Sequence, residues 1–213
     1  MFFAKIILNA TFADNFNSFV GLAPVSTIDG TPSNLIKIAI DLHLADILNL
    51  IGIHHLLELS DKDVSPLFAD LIALIPDTLM DIIKLIAGHG KNSVYLKSRI
   101  PVMASHEPGA TSMPNLQYWS DMFRAKKFPY DLTKLQPLKL PMFMGLGSND
   151  TLANPKDFAK LQKNLPKDTE ILNIDGWGHM DLMWADNAYK FMYPDVIKFI
   201  NNANNGTEDF IDV

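Results

Sequence analysis

Residues 138–174 constrain the fold of this chain more than any other stretch. The apolar run LKLPMFMGLG at 138–147 is followed by a helix-spaced segment from Pro155 to Leu165, and then by a second short run from Glu170 to Ile174. Strand, helix and strand in that order form a βαβ unit, which predicts two neighbouring parallel strands and an α/β fold. The helix start is well marked. Asn154 can cap it, and Pro155 at the first helical position gives up no needed hydrogen bond and has its φ preset.

The rest of the chain fits around that unit. Residues 1–13 are helix-like, and the run FNSFVGLAPV at 16–25 reads as a buried parallel-type strand stopped by Pro24. From Thr31 to Gly90 Leu and Ile recur at three- and four-residue spacing, with breaks at Gly52, Ser65-Pro66 and Pro76, which predicts three or four short helices. Their apolar content exceeds what one helix face can hide, so the cluster should pack on something large or bind something apolar. Ser112 or Thr111 can cap a helix carrying Leu116, Tyr118, Trp119 and Phe123. A last helix is expected at about Pro194 to Asn202, followed by a polar, acidic tail that frays.

Composition removes several function classes. With 48% hydrophobic and 20% charged residues in 213, the chain is globular and large enough for a real core. A net charge of -6 with no Lys/Arg cluster argues against nucleic acid as a partner. The absence of cysteine rules out disulfides, thiolate metal sites and thiol chemistry, without fixing a compartment. No secretory signal is visible at Met1–Lys5, and the most apolar window, 35–53, carries Lys37, Asp41, His43 and Asp46, too many charges for a transmembrane span.

Two turns carry the candidate chemistry. Gly145-Leu146-Gly147-Ser148-Asn149-Asp150 and Asp175-Gly176-Trp177-Gly178-His179-Met180-Asp181 each place an ionisable residue just after an apolar run. Between Asp150 and His179 there is room for one helix and one strand, which brings both turns to the same edge of a parallel sheet. A carboxylate there can hold the Nδ1 proton of the histidine and fix its tautomer. Asp175 and Asp181 also flank His179, but both lie too close in sequence to reach Nδ1 comfortably, so Asp150 is the expected partner. The bland alternative is that Asp150 opens a turn and His179 sits on its surface. The pair His54-His55 reads as a solvated helix end, and neither it nor His43 or His89 is assigned a site.

Three blocks, in order, carry a family resemblance. LKSRIPVMASHEPGATSMPNLQYWSDMF resembles the segment of the acid lipases, the gastric and lysosomal family of α/β-hydrolases, that reads S-H-x-P-A-G-T-S and then N-L/M-x-H-W. NDTLANPKDF resembles that family's H-D-x-L-A-D-P-x-D-V, and GWGHMDLMWADNAYKFMYPDVIKFI resembles its W-x-H-L-D-F-x-W-G-x-D-A and closing helix. The resemblance runs from about Phe16 to Ile200. Departures are Pro-Gly-Ala for Pro-Ala-Gly, Tyr118 for the His of the H-W pair, Thr151 where a Trp is usual, and Asn154 for an acid.

The resemblance implies the C-terminal part of an α/β-hydrolase fold with an inserted helical cap, a lipid ester as substrate, Asp150 as triad acid and His179 as triad base, and neither metal nor cofactor. It also implies four regions: 1–30, a helix and strand from the nucleophile side of the core; 31–98, the cap over an acyl-chain pocket, with lipid-surface contact through it; 99–203, the core with acid and histidine; and 204–213, a flexible tail. A full-length parent would be secreted or lysosomal. The nucleophile is missing: no G-x-S-x-G occurs in the 213 residues. Met1-Phe2-Phe3-Ala4 and Leu22-Ala23-Pro24-Val25 resemble landmarks that follow the serine, so Met1 is expected a handful of residues beyond it.

Without serine or oxyanion loop the chain is expected to be inactive on esters. The alternative is a non-catalytic remnant that binds lipid or a partner through the apolar cap; a third reading would use Ser148 or Ser26 as nucleophile, neither of which stands in a nucleophile elbow. The strand at 16–25 is expected to present an open edge, which predicts that the isolated chain is aggregation-prone or partly molten. Size-exclusion chromatography with light scattering checks this, and a monodisperse monomer with a sharp, reversible unfolding transition would overturn it.

Overall fold

A computed structural model describes residues 2–43, 47, 55–56, 74–104 and 111–204. The expected tail, 204–213, lies outside the described residues except for Asn204, and so do 44–46, 48–54 and 57–73 of the expected cap.

Three strands form a parallel sheet in the order β1-β4-β5: β1 (Phe19–Leu22), β4 (Met142–Gly147) and β5 (Glu170–Ile174). In between, β2 (His55–Leu56) and β3 (Thr111–Ser112) make a two-residue antiparallel pair. Phe19 stands opposite Met142 and Leu22 opposite Gly145, while Phe143 stands opposite Glu170 and Gly147 opposite Ile174. The central strand β4 is buried at all six residues. That is the behaviour of a parallel strand covered on both faces, and it explains why its sequence runs apolar without alternation.

The two faces of β4 nevertheless differ in size. Met142, Met144 and Leu146 point into a core with Phe3, Ile6 and Ile7 of the helix Phe2–Leu8, and with Phe158 and Leu161 of the crossover helix Pro155–Gln162. On the other face Phe143 packs against Phe199 of the helix Tyr193–Ala203, while Gly145 leaves room for Met192 and Leu22. A Cβ at Gly147 would overlap the Trp177 carbonyl. The small residues let the C-terminal helices and the Trp177 backbone approach the sheet.

The predicted βαβ unit is present, with its helix at Pro155–Gln162. Asn154 caps that helix, its side-chain oxygen accepting from Lys156 N at 3.0 Å and Asp157 N at 3.2 Å. Asp157, 1% exposed, accepts from Gly30 N at 2.9 Å, Asn154 Nδ2 at 2.7 Å and Lys160 Nζ at 2.9 Å. Lys160 also reaches Asp29 at 2.7 Å. Burial alone would raise the Asp29 carboxyl, but the Lys160 ammonium holds it below its usual range. The network ties the 29–30 turn after β1 to the crossover helix.

Elsewhere tertiary contacts moved boundaries. The helical segment at 1–13 is a helix over Phe2–Leu8 and then a tight 3-10 turn over Ala10–Asn15. The strand expected at 16–25 is only Phe19–Leu22, the part that pairs with β4; the rings of Phe2 and Phe19 stack at 4.1 Å instead of extending the ladder. Among the described residues β1 has a strand on one side only. The region 31–90 shows helices at Asn34–Asp41 and Pro76–Ala87. His55 belongs to β2 and not to a helix end, because its backbone pairs with Ser112, a partner that local periodicity cannot reveal; His54 lies outside the described residues.

Removing the buried acceptor by Asp157→Ala would strand the Gly30 amide and the Asn154 side chain. The expected cost is about 2–3 kcal/mol, read as a lowered midpoint in urea, whereas Lys156→Ala on the exposed side should change it little.

Candidate active site

Asp150 stands on the turn after β4 and His179 on the turn after β5. Since the strands are adjacent and parallel, both turns emerge at the same edge of the sheet. Gly176, at φ 76°, takes the left-handed conformation that reverses the chain after β5. The two turns are also bonded to each other, Asn149 N donating to Trp177 O at 2.8 Å.

His179 Nδ1 lies 2.9 Å from Asp150 Oδ2. Asp150 is 2% exposed, and its other oxygen, Oδ1, accepts from the backbone N–H groups of Leu152 at 2.7 Å and Ala153 at 2.8 Å. Those two bonds fix the carboxylate plane. The histidine side chain keeps about a fifth of its surface open. With Nδ1 on the carboxylate, Nε2 is the ring nitrogen left for proton transfer.

The neighbouring carboxylates are used elsewhere. Asp175 accepts from Ser148 Oγ at 3.1 Å, and the same hydroxyl accepts from Gly176 N at 2.7 Å, so Ser148 braces the two turns. Ser26 is buried at 4% exposure. Asp181, 1% exposed, accepts from Gly90 N and Gly178 N, each at 2.6 Å, and from the Tyr95 hydroxyl. Burial first, and then the Asp181 charge, push the ionisation of Tyr95 well above its ordinary value, so this hydroxyl remains a donor. His89 Nδ1 lies 3.9 Å from Asp181 Oδ1, and His43 Nδ1 lies 3.0 Å from Arg124 Nη2.

The segment 86–90, at the end of the helix Pro76–Ala87, was not singled out by sequence. Its Ala87 carbonyl accepts from His179 N at 2.9 Å, Ile86 O accepts from Thr151 Oγ1 at 2.6 Å, and His89 O accepts from Asn149 Nδ2 at 2.6 Å. A Cβ at Gly178 would overlap the Gly88 backbone. The available signal was the pair of glycines around His89, which mirrors the pair around Trp177. Thr151 and Asn154, two departures from the family pattern, are here a tether to the helix end and a helix cap. The motif residues 105–110 lie outside the described residues; Ser112, as expected, caps the helix Met113–Ala125, accepting from Asn115 N at 3.3 Å. Among the described residues no group of three or more His, Asp or Glu could hold a metal ion, and no helix is long and apolar enough to cross a membrane.

The two glycines beside Trp177 should respond differently to alanine. Gly176→Ala meets only an ordinary contact with Lys91 N at 3.9 Å and backbone strain, about 1–2 kcal/mol, while Gly178→Ala must push the Gly88 backbone away. We expect the larger fall in thermal stability for Gly178→Ala, with His179 displaced from Asp150.

No protein-family model matches the chain. It is similar to triacylglycerol lipase 1 of Arabidopsis thaliana, 26% identical over 198 residues, which cover 84% of this chain and 49% of that protein. It is also similar to gastric triacylglycerol lipase of Rattus norvegicus, 27% identical over 228 residues, covering 93% of this chain and 54% of that one. A third relative is the lysosomal acid lipase/cholesteryl ester hydrolase of Rattus norvegicus, 24% identical over 145 residues, with 60% and 36% covered. The chain spans about half the length of the first two of these curated relatives. In fold it is similar to a soluble variant of monoglyceride lipase from Saccharomyces cerevisiae, with a TM-score of 0.56 at 12% identity over 93% of this chain and 57% of that one. A monoacylglycerol lipase from Paleococcus ferrophilus gives 0.50 at 18% identity, with 93% and 65% covered. The parallel sheet flanked by helices is part of an α/β-hydrolase fold, and the chain that forms it is acid-lipase-like.

Proposed function

We propose that these residues supply the acid and the base of a serine-dependent carboxylic ester hydrolase acting on lipid esters, with the nucleophile contributed from outside the 213 residues. The observation that carries this reading is the 2.9 Å contact of His179 Nδ1 with a buried carboxylate whose second oxygen is held by two backbone amides. Asp150 orients the ring and stabilises the imidazolium; His179 takes the serine proton through Nε2 and returns it to the leaving alcohol. Lipid esters as the substrate class follow from the lipases it resembles. The exposed side chains of Ile38 and Leu42 at the end of the helix Asn34–Asp41, and of Ile82 and Leu85 on the helix Pro76–Ala87, support apolar contact on the cap side.

The same exposed residues favour the second reading, a non-catalytic lipid-binding protein of this fold. A binder, however, has no use for a buried carboxylate aimed at a histidine ring, and that pair supports the hydrolase.

Labelling with a fluorophosphonate separates the readings. The 213-residue chain alone should take no label and hydrolyse no medium-chain p-nitrophenyl ester. Expressed together with an upstream segment bearing G-x-S-x-G, it should hydrolyse the ester. Asp150→Asn should then lower kcat by about 10³–10⁴-fold, and His179→Ala should leave only background. Label on the isolated chain would show that its nucleophile lies within it, and an upstream-extended protein that stays inert would leave the binding reading.

A further inference from the structure

Asp181 is as heavily engaged as Asp150, with three hydrogen bonds, and the reaction as described makes no use of it. Its Oδ2 takes two amide protons at 2.6 Å, from Gly178 and from Gly90, and its Oδ1 takes the Tyr95 hydroxyl. The Gly178 N–H belongs to the residue just before His179, while Asp181 follows it by two residues. The carboxylate therefore closes residues 178–181 into a small ring with the histidine inside. Gly90 and Tyr95, from the segment after the helix Pro76–Ala87, fix that ring from outside. The histidine's own N–H is bonded to Ala87 O at 2.9 Å.

Resting on the hydrolase reading above, we propose that Asp181 is a positioning residue for His179: it locks the backbone on which the imidazole stands, while Asp150 locks the ring. The division of labour follows from reach. Asp150, on another strand end, touches Nδ1 and leaves the histidine backbone free to slide. Asp181 touches no atom of the ring in the described contacts but removes that freedom, by giving two buried amides and the half-buried Tyr95 hydroxyl a single acceptor group. Removing the acceptor leaves the buried Gly178 and Gly90 N–H groups without their acceptor and takes from the half-buried Tyr95 hydroxyl its bond to Asp181, and the turn must rearrange to find others. What Asp181 contributes is hydrogen-bond acceptance, so an amide of the same shape can serve. After Asp181→Asn the side-chain oxygen can still accept the two backbone protons, and its NH₂ can donate to the Tyr95 oxygen.

The test is the low-field proton resonance of the His179 Nδ1–H held against Asp150, recorded on the ¹⁵N-histidine-labelled 213-residue chain. Solution spectra serve if the chain is monomeric, and magic-angle spinning of sedimented protein serves if it self-associates. Asp150→Asn identifies the resonance by abolishing it. Asp181→Ala should also abolish it with the near-UV circular dichroism unchanged, and Asp181→Asn should restore it. Should Asp181→Ala not fold, Tyr95→Phe decides: the resonance should persist but exchange faster with water. A resonance that survives Asp181→Ala, or one unmoved by Tyr95→Phe when Asp181→Ala does not fold, overturns the positioning role while leaving the Asp150–His179 pair intact. A wild-type chain without the resonance, or one indifferent to Asp150→Asn, overturns the pair and the proposal with it.

Discussion

Everything that places chemistry in this chain depends on the burial of β4. Six consecutive residues lose contact with water, and a strand so placed must have its backbone bonded on both sides and its side chains covered on both faces. Pairing with β1 and β5 supplies the first requirement, and helices on either side supply the second. The turn that follows β4 inherits its position from that constraint. So does the turn after β5, because a parallel neighbour delivers its C-terminal end to the same edge.

Polar groups at that edge are placed by burial as much as by chemistry. Asp150, Asp157 and Asp181 are each almost wholly enclosed, and every one collects backbone amides or an ammonium. A buried polar group without such partners costs free energy that the fold would have to offset elsewhere. The three differ in what their donors belong to: Asp157 joins the turn after β1 to the crossover helix, Asp181 joins the 90 turn to the histidine turn, and Asp150 alone of the three faces an imidazole at hydrogen-bonding distance. Chemistry and architecture use the same interaction here, and only the identity of the partner separates them.

What was legible in the sequence followed the range of the interactions. The βαβ unit could be read because a covered strand and a capped helix leave local marks: the run at 142–147, and Asn154 followed by Pro155. The pairing of Asp150 with His179 could be anticipated because one crossover fixes where both turns fall. Long-range partners left no mark. Nothing around His55 announces pairing with Ser112, and nothing in the spacing of Ile and Leu at 76–87 says that the end of that helix would meet both turns. Asp181 was weighed only as a rival partner for Nδ1. Its ties to Gly90 and Tyr95 span 91 and 86 positions, beyond what periodicity or motif spacing encodes.

The last two carbonyls of the helix Pro76–Ala87 accept from both turns, Ile86 O from Thr151 and Ala87 O from His179. A support shared in this way acts as a common mount. If the helix tilts, acid and histidine are carried in the same direction, and their separation is insulated from movement of the helical layer.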